Sequence, residues 1–209
     1  MPERLQNTLT PLSAFTDVPD AATSAAGLLV AARDGLGIAT VRPRKGQVAA
    51  LAQFTRARFG IDLPAGPKRA AVGGIAFAGI GPAAWLVTCE QGGNAFAASL
   101  EEALGDSASV TDQSDGYAVL LMTGPKLRDV LAKILPIDLH PRAFKQDAVA
   151  ATVAAHMGVT LWRLGDAADG SPVFELAVFR SFARSFWHAL SSHAAEFGLA
   201  AISPQGVRW

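Results

Sequence analysis

AAVGGIAFAGIGPAAWLVTC, Ala70 to Cys89, is the nearest this chain comes to an unbroken apolar run, and its reading decides the fold. A membrane span needs ~18 uninterrupted apolar residues. This run is broken by Gly73, Gly74, Gly79, Gly81 and Pro82, so it reads as buried strands over Val72–Ala78 and Trp85–Cys89 with a Gly-Pro turn between them. Within it, Gly79-Ile80-Gly81-Pro82-Ala83-Ala84 matches G-x-G-x-x-A after a strand. A dinucleotide site needs a helix next, so that the helix N-terminus meets the pyrophosphate. Here Trp85–Cys89 follows, which prefers a strand, and Glu101 and Glu102 fall in a predicted helix rather than at the end of a second strand. The motif therefore reads as a tight strand-to-strand turn.

Working outward, Leu28–Ala32 reads as a strand, Asp34-Gly35 as a hairpin signal and Ile38–Val41 as the return strand. Gly46–Phe59 has a helical apolar face of Val48, Leu51, Ala52, Thr55 and Phe59, stopped by Gly60. Asn94 is placed to cap a helix with inner residues Phe96, Leu100 and Ala103, and Ala108–Thr111 closes that half. On the other side, Tyr117–Met122 is a strand, and Gly124-Pro125 opens a helix with the stripe Leu127, Val130, Leu131, Ile134 and Leu135. Val149–Ala155, Val159–Leu164 and Val173–Val178 are strands, and Ser181 is placed to cap a last helix with inner face Phe182, Phe186, Leu190 and Phe197. The repeated order predicts an α+β fold of two ferredoxin-like (split βαβ) modules, residues 27–112 and 113–209, after an extended arm over 1–26. It is not the steady alternation of a doubly wound sheet.

Eighteen basic residues balance 18 acidic ones, which argues against nucleic acid and gives no reason to expect a membrane partner. Half of the residues are hydrophobic, so a near-neutral chain of this kind favours a permanent protein partner. The single cysteine, Cys89, excludes an intrachain disulfide and fits a reducing compartment. Met1–Phe15 lacks the apolar core of a signal peptide, so a cytoplasmic location is expected.

Catalytic chemistry is not written in the sequence. His188 and His193 are spaced i, i+5 and point to different helix faces, and His140 and His156 are isolated. Cys89 reads as a buried, inert thiol, and Asp112, Asp115 and Asp138 as turn or capping residues. No catalytic, cofactor-binding or metal-binding residue is therefore predicted. The candidate functional residues are those of a subunit interface. His140, Arg142 and Phe144 fall within five residues after the Pro136 stop, and rings and arginine are enriched at interface anchors. The competing reading tucks Phe144 under its own domain. Arg180 precedes the last helix, and Trp187 lies off the predicted inner face, to be covered by this chain's sheet edge or by another subunit.

Several segments carry a resemblance as a set: Gly81-Pro82-Ala83-Ala84-Trp85-Leu86-Val87, Asp112–Gly116 with Leu121–Pro125, the loop Leu135–Phe144, and Phe179–Trp187 with Glu196-Phe197-Gly198. Over residues 27–198 the chain resembles the gamma-subunit family of heterotetrameric bacterial sarcosine oxidases, departing from it where Ala83 or Ala84 replaces a polar or acidic turn residue. The resemblance implies the fold of the aminomethyltransferase folate-binding region. It implies a complex that demethylates sarcosine oxidatively to glycine and hydrogen peroxide, the methyl carbon leaving as formaldehyde or 5,10-methylenetetrahydrofolate. It assigns FAD, NAD and a folate-binding domain to an alpha subunit, covalent FMN to a beta subunit and zinc to a delta subunit, with no cofactor in the gamma chain. The alternative is a free-standing folate-binding, aminomethyltransferase-like protein. Against it, Gly73-Gly74-Ile75 is followed by Ala76-Phe77-Ala78, where those enzymes place a carboxylate.

Overall fold

The computed structural model describes residues 26–202. The arm expected over 1–26 thus lies, but for Ala26, outside the described residues. The first strand, β1 (Leu28–Ala32), is followed by β2 (Gly37–Pro43), α1 (Val48–Phe59), β3 (Arg69–Val72), β4 (Ile75–Gly81), β5 (Ala84–Cys89), α2 (Phe96–Leu104) and β6 (Ala108–Asp112). Then come β7 (Tyr117–Thr123), α3 (Leu127–Leu131), β8 (Val149–Ala154), β9 (Met157–Asp166), β10 (Pro172–Phe179), α4 (Ala183–Ala194) and β11 (Leu199–Ala201).

The strands form a five-stranded sheet, β3-β4-β5-β2-β6, and a six-stranded sheet, β11-β1-β7-β10-β9-β8. In the first, β2 and β4 are joined through α1 with the antiparallel strand β5 between them, which is a split βαβ arrangement. In the second, β7, β9 and β10 repeat that pattern around α3, and β3 and β8 are matching edge strands. The repeat differs in one respect. β1 enters the six-stranded sheet, antiparallel to β7 and parallel to β11. The hairpin expected across Asp34-Gly35 therefore does not form. The turn is present, but its two strands go to different sheets.

Strand alternation builds the layers. On β7, Ala118, Leu120 and Met122 face α3 and α4, while Val119 and Leu121 face the other sheet. Ile38, Ala78 and Leu86 meet them from the five-stranded sheet, whose opposite face packs Val41, Phe77, Trp85 and Val87 against Leu51, Phe96 and Leu100. The order is helices, sheet, sheet, helices. None of the helices is long and apolar enough to cross a membrane among the described residues.

Local differences have physical causes. Val72–Ala78 is not one strand, because Gly73 and Gly74 both take positive φ (60° and 83°) and close a two-residue hairpin. Neither Asn94 nor Ser181 caps its helix. Each lies in a 3-10 turn that leads into α2 or α4, and neither helix has a side-chain cap. That turn also changes the phase of the last helix, because 3-10 geometry advances about 120° per residue instead of 100°. Phe182 swings out to 46% exposure, and the inner face becomes Ala183, Phe186, Trp187, Leu190 and Ala194. On α2, Leu104 and not Ala103 completes the buried face.

The β8–β9 hairpin turns through Ala155 and His156, both at positive φ (45° and 69°). Asn-Gly is the usual sequence there, because an L side chain with a Cβ is strained in this region. His156→Gly at this exposed position is expected to raise unfolding stability by about 0.5–1 kcal/mol, measured by urea denaturation.

Candidate functional site

The segment after Pro136 is a rigid surface loop. The Asp138 carboxylate accepts from the His140 N–H at 2.8 Å, and His140 Nδ1 accepts from the Arg142 N–H at 3.2 Å. The His140 carbonyl accepts from the N–H groups of Ala143 and Phe144, which closes the turn. Two apolar side chains anchor it. Leu139 is buried, and the Arg128 Nε–H donates to its carbonyl at 3.1 Å. Phe144, 7% exposed, stacks on Phe174 with centroids 5.9 Å apart. His140 and Arg142 remain exposed on this platform. Phe144 is thus not an exposed anchor. Its ring enters its own core because the turn at His140 directs it back over β10.

The last helix tells a similar story. Trp187 is buried within its own chain, on the inner face of α4. The predicted face is centred on large residues, and two of them, Phe182 and Phe197, lie in 3-10 turns at the ends. The small residues Ala183 and Ala194 complete the buried stripe and bring Trp187 into it. Arg180 meets an acid, but the acid is Asp115 of this chain. Its Nε–H donates to the Asp115 carbonyl at 2.8 Å, its guanidinium is 3.6 Å from the Asp115 carboxylate, and its N–H donates to the Gly116 carbonyl. It pins the β6–β7 turn to the start of α4. Asp112 accepts from the Ser114 N–H in the same turn. The five residues therefore do not form one surface.

A charged cluster that the sequence reading missed lies between the sheets. Glu175 on β10 has a nearly buried side chain, and its Oε2 accepts from the Trp162 indole N–H at 2.7 Å. Its Oε1 lies 2.8 Å from Arg33 Nε, an ion-pair contact whose angle falls short of a hydrogen bond. Arg33 also donates to Glu90 at 3.1 Å. Arg69 stands beside them. Burial lowers its pKa, and the carboxylates of Glu175, Asp147 and Glu90 offset part of that effect. Arg33, Arg69, Glu90 and Glu175 line a cavity of about 170 Å³ together with Thr88 and the Gly73-Gly74 turn. Each carboxylate faces an arginine. The cluster's clearest task is to hold β1, β9 and β10 in register. The sequence signal was a lone Glu at the inward phase of an apolar strand, with Val173 and Ala177 on the same face.

The remaining candidates are local. Gly79–Ala84 holds the end of β4, the Pro82-Ala83 turn and the first residue of β5, with Ala83 at positive φ. Cys89 ends β5 and is half-buried rather than buried. His193 Nδ1 bonds to the Ala189 carbonyl of its own helix. No group of three or more His, Cys, Asp and Glu residues gathers at metal-binding distance among the described residues.

Residues 80–207 match the GCVT N-terminal domain family. A sarcosine oxidase subunit gamma from Corynebacterium sp. (strain P-1) is 38% identical over 59% of this chain, and the match spans 60% of that relative. Its counterpart from Corynebacterium sp. (strain U-96) is 33% identical over 80% of this chain and 78% of that protein. Among solved structures, a chain of the heterotetrameric sarcosine oxidase from Corynebacterium sp. U-96, in complex with pyrrole 2-carboxylate, superposes with a TM-score of 0.70 and 30% identity, covering 84% of this chain and 88% of that one. The glycine cleavage system aminomethyltransferase T from Bartonella henselae shares the fold, with a TM-score of 0.62 at 16% identity, covering 93% of this chain and 51% of that one.

Glu175→Ala is expected to lower unfolding stability by about 2–3 kcal/mol, because it leaves Arg33 and the Trp162 N–H without their buried partner. The loss is moderated because Glu90 still pairs with Arg33. Chemical denaturation of the variant against the parent chain measures it.

Proposed function

We propose, from the premise that this chain belongs to the sarcosine oxidase gamma-subunit family, that it is a non-catalytic subunit of a heterotetrameric sarcosine oxidase and supports assembly of the flavin-bearing subunits. The observation that carries this reading is the superposition on a chain of the solved heterotetramer over most of both lengths. The complex would oxidise the C–N bond of sarcosine with oxygen as acceptor. Its products are glycine, hydrogen peroxide, and formaldehyde or 5,10-methylenetetrahydrofolate. In this reading alpha, beta and delta subunits are the partners. FAD, FMN, NAD, zinc and tetrahydrofolate belong in or near those other chains, and the assembly is cytoplasmic.

The disposition of polar groups supports a structural role. Glu175, Arg33, Arg180, Asp112 and Asp138 are tied into contacts that shape this chain's own turns and sheets. The rigid, exposed pair His140 and Arg142 is assigned to a subunit contact.

Purified alone, the chain is expected to show no flavin absorbance and to release no peroxide from sarcosine. Captured from its native cell extract, it is expected to bring flavin-bearing chains with it. A yellow, peroxide-producing preparation of the isolated chain would overturn the proposal. Replacing His140 and Arg142 together by alanine is expected to reduce the yield of captured complex while leaving the melting point of the isolated chain unchanged. An unaltered yield would remove these two residues from the interface.

A further inference from the structure

We infer that the apolar groove between α1 and the β4–β5 turn is a docking site for a partner subunit, and that its occupant is an apolar segment flanked by acidic residues. This deepens the subunit reading above and rests on it. The groove has a volume of about 640 Å³, and Val48, Ala52, Leu63, Pro64, Ile80 and Pro82 line it. Pockets of this size and polarity are typical of sites that enclose an apolar group.

The walls are preformed. The Trp85 indole N–H donates to the Pro64 carbonyl at 3.1 Å and fixes the loop that leads to β3. Gly79 passes so close to that loop that a Cβ there would come within 2.0 Å of the Gly66 carbonyl oxygen, and its N–H donates to the Lys68 carbonyl. Pro64, Pro67 and Pro82 add fixed φ values around the rim. A groove held in this way loses little conformational freedom when it is filled.

Helix α1 forms the outer wall, and its residues do not follow the pattern of a solvated helix. Only Leu51 and Thr55 are buried, while Val48 is 50% exposed and Ala49, Ala50 and Ala57 also face outward. An amphipathic helix would carry polar residues at most of these positions. Charge defines the occupant further. Arg42, Arg44 and Lys45 lead into the helix; all three are exposed, and none enters an ion pair among the described residues. Asp106 is the carboxylate of the adjoining turn, whose Ser107 carbonyl accepts from the Arg44 N–H. Three cations against one carboxylate make a positive rim at the entry to α1. It ends at Lys45, three residues before the groove-lining Val48. At the other end Arg56 is already matched by Asp62. Such a rim selects an acidic partner and steers its approach.

The test uses the complex, obtained by co-expressing the chain with its flavin-bearing subunits. Val48→Asp and Lys45→Glu alter exposed positions and are expected to leave the melting point of the isolated chain unchanged. Each is expected to weaken binding to the flavin-bearing subunits about tenfold or more, measured by biolayer interferometry. Lys45→Glu is expected to flatten the salt dependence shown by the parent chain, and Glu101→Lys, on the exposed face of α2, to leave affinity unchanged. A photo-crosslinking residue at position 48 is expected to label an acidic peptide of a flavin-bearing subunit, and it reports on the groove even if a charged variant fails to fold. Parent-like affinity in both variants, or crosslinks only to a second copy of this chain, would overturn the docking site while the subunit reading stands. Failure of the parent chain to join any flavin-bearing subunit would overturn both.

Discussion

Strand β1 is hydrogen-bonded between β7 and β11, yet the chain leaves it directly for β2 in the opposite sheet. That crossing ties the two sheets together, and most of the remaining structure accommodates it. The turn at Asp34-Gly35 spans the interlayer gap where a hairpin would have closed. Arg33, at the end of β1, is carried into the space between the sheets, where a cation needs a partner. Glu175 and Glu90 provide it from β10 and from the end of β5. The Trp162 indole satisfies the second Glu175 oxygen, so the carboxylate is held from both sides.

With its charged residues placed in this way, the molecule is well suited to rigidity. Arg180 closes the β6–β7 turn on Asp115, Arg128 fastens the loop after α3 at Leu139, and Asp138 shapes the start of that loop. An apolar groove remains between α1 and the nearby turn, Val72, Val153, Phe179 and Phe182 are exposed elsewhere, and the inner faces of α3 and α4 are matched to their own sheet.

Much of the fold was legible where pattern alone suffices. The stripe Leu127, Val130, Leu131, Ile134 and Leu135 is buried throughout, and alternation placed the central strands correctly. The interface candidates fared unevenly for a common reason. Phe144 and Trp187 are large apolar rings near turns, and a ring near a turn reads the same whether it points outward or back into its own core. The 3-10 lead into α4 and the ring stack of Phe144 on Phe174 decide that direction. Glu175 was visible as a charge at an inward phase, but Arg33, its partner, is 142 positions earlier (175 − 33).

The sequence by itself determined the class of fold, the repeated split βαβ order and the family, because each rests on local periodicity, turn chemistry or short motifs read along the chain. Only the tertiary structure decided which sheet β1 joins, which rings are core, which arginine meets which carboxylate, and that Val48 and Ile80 line one groove. Those outcomes depend on contacts between residues far apart in sequence, whose free energy appears only when both sheets are assembled and their shared layer is closed to water.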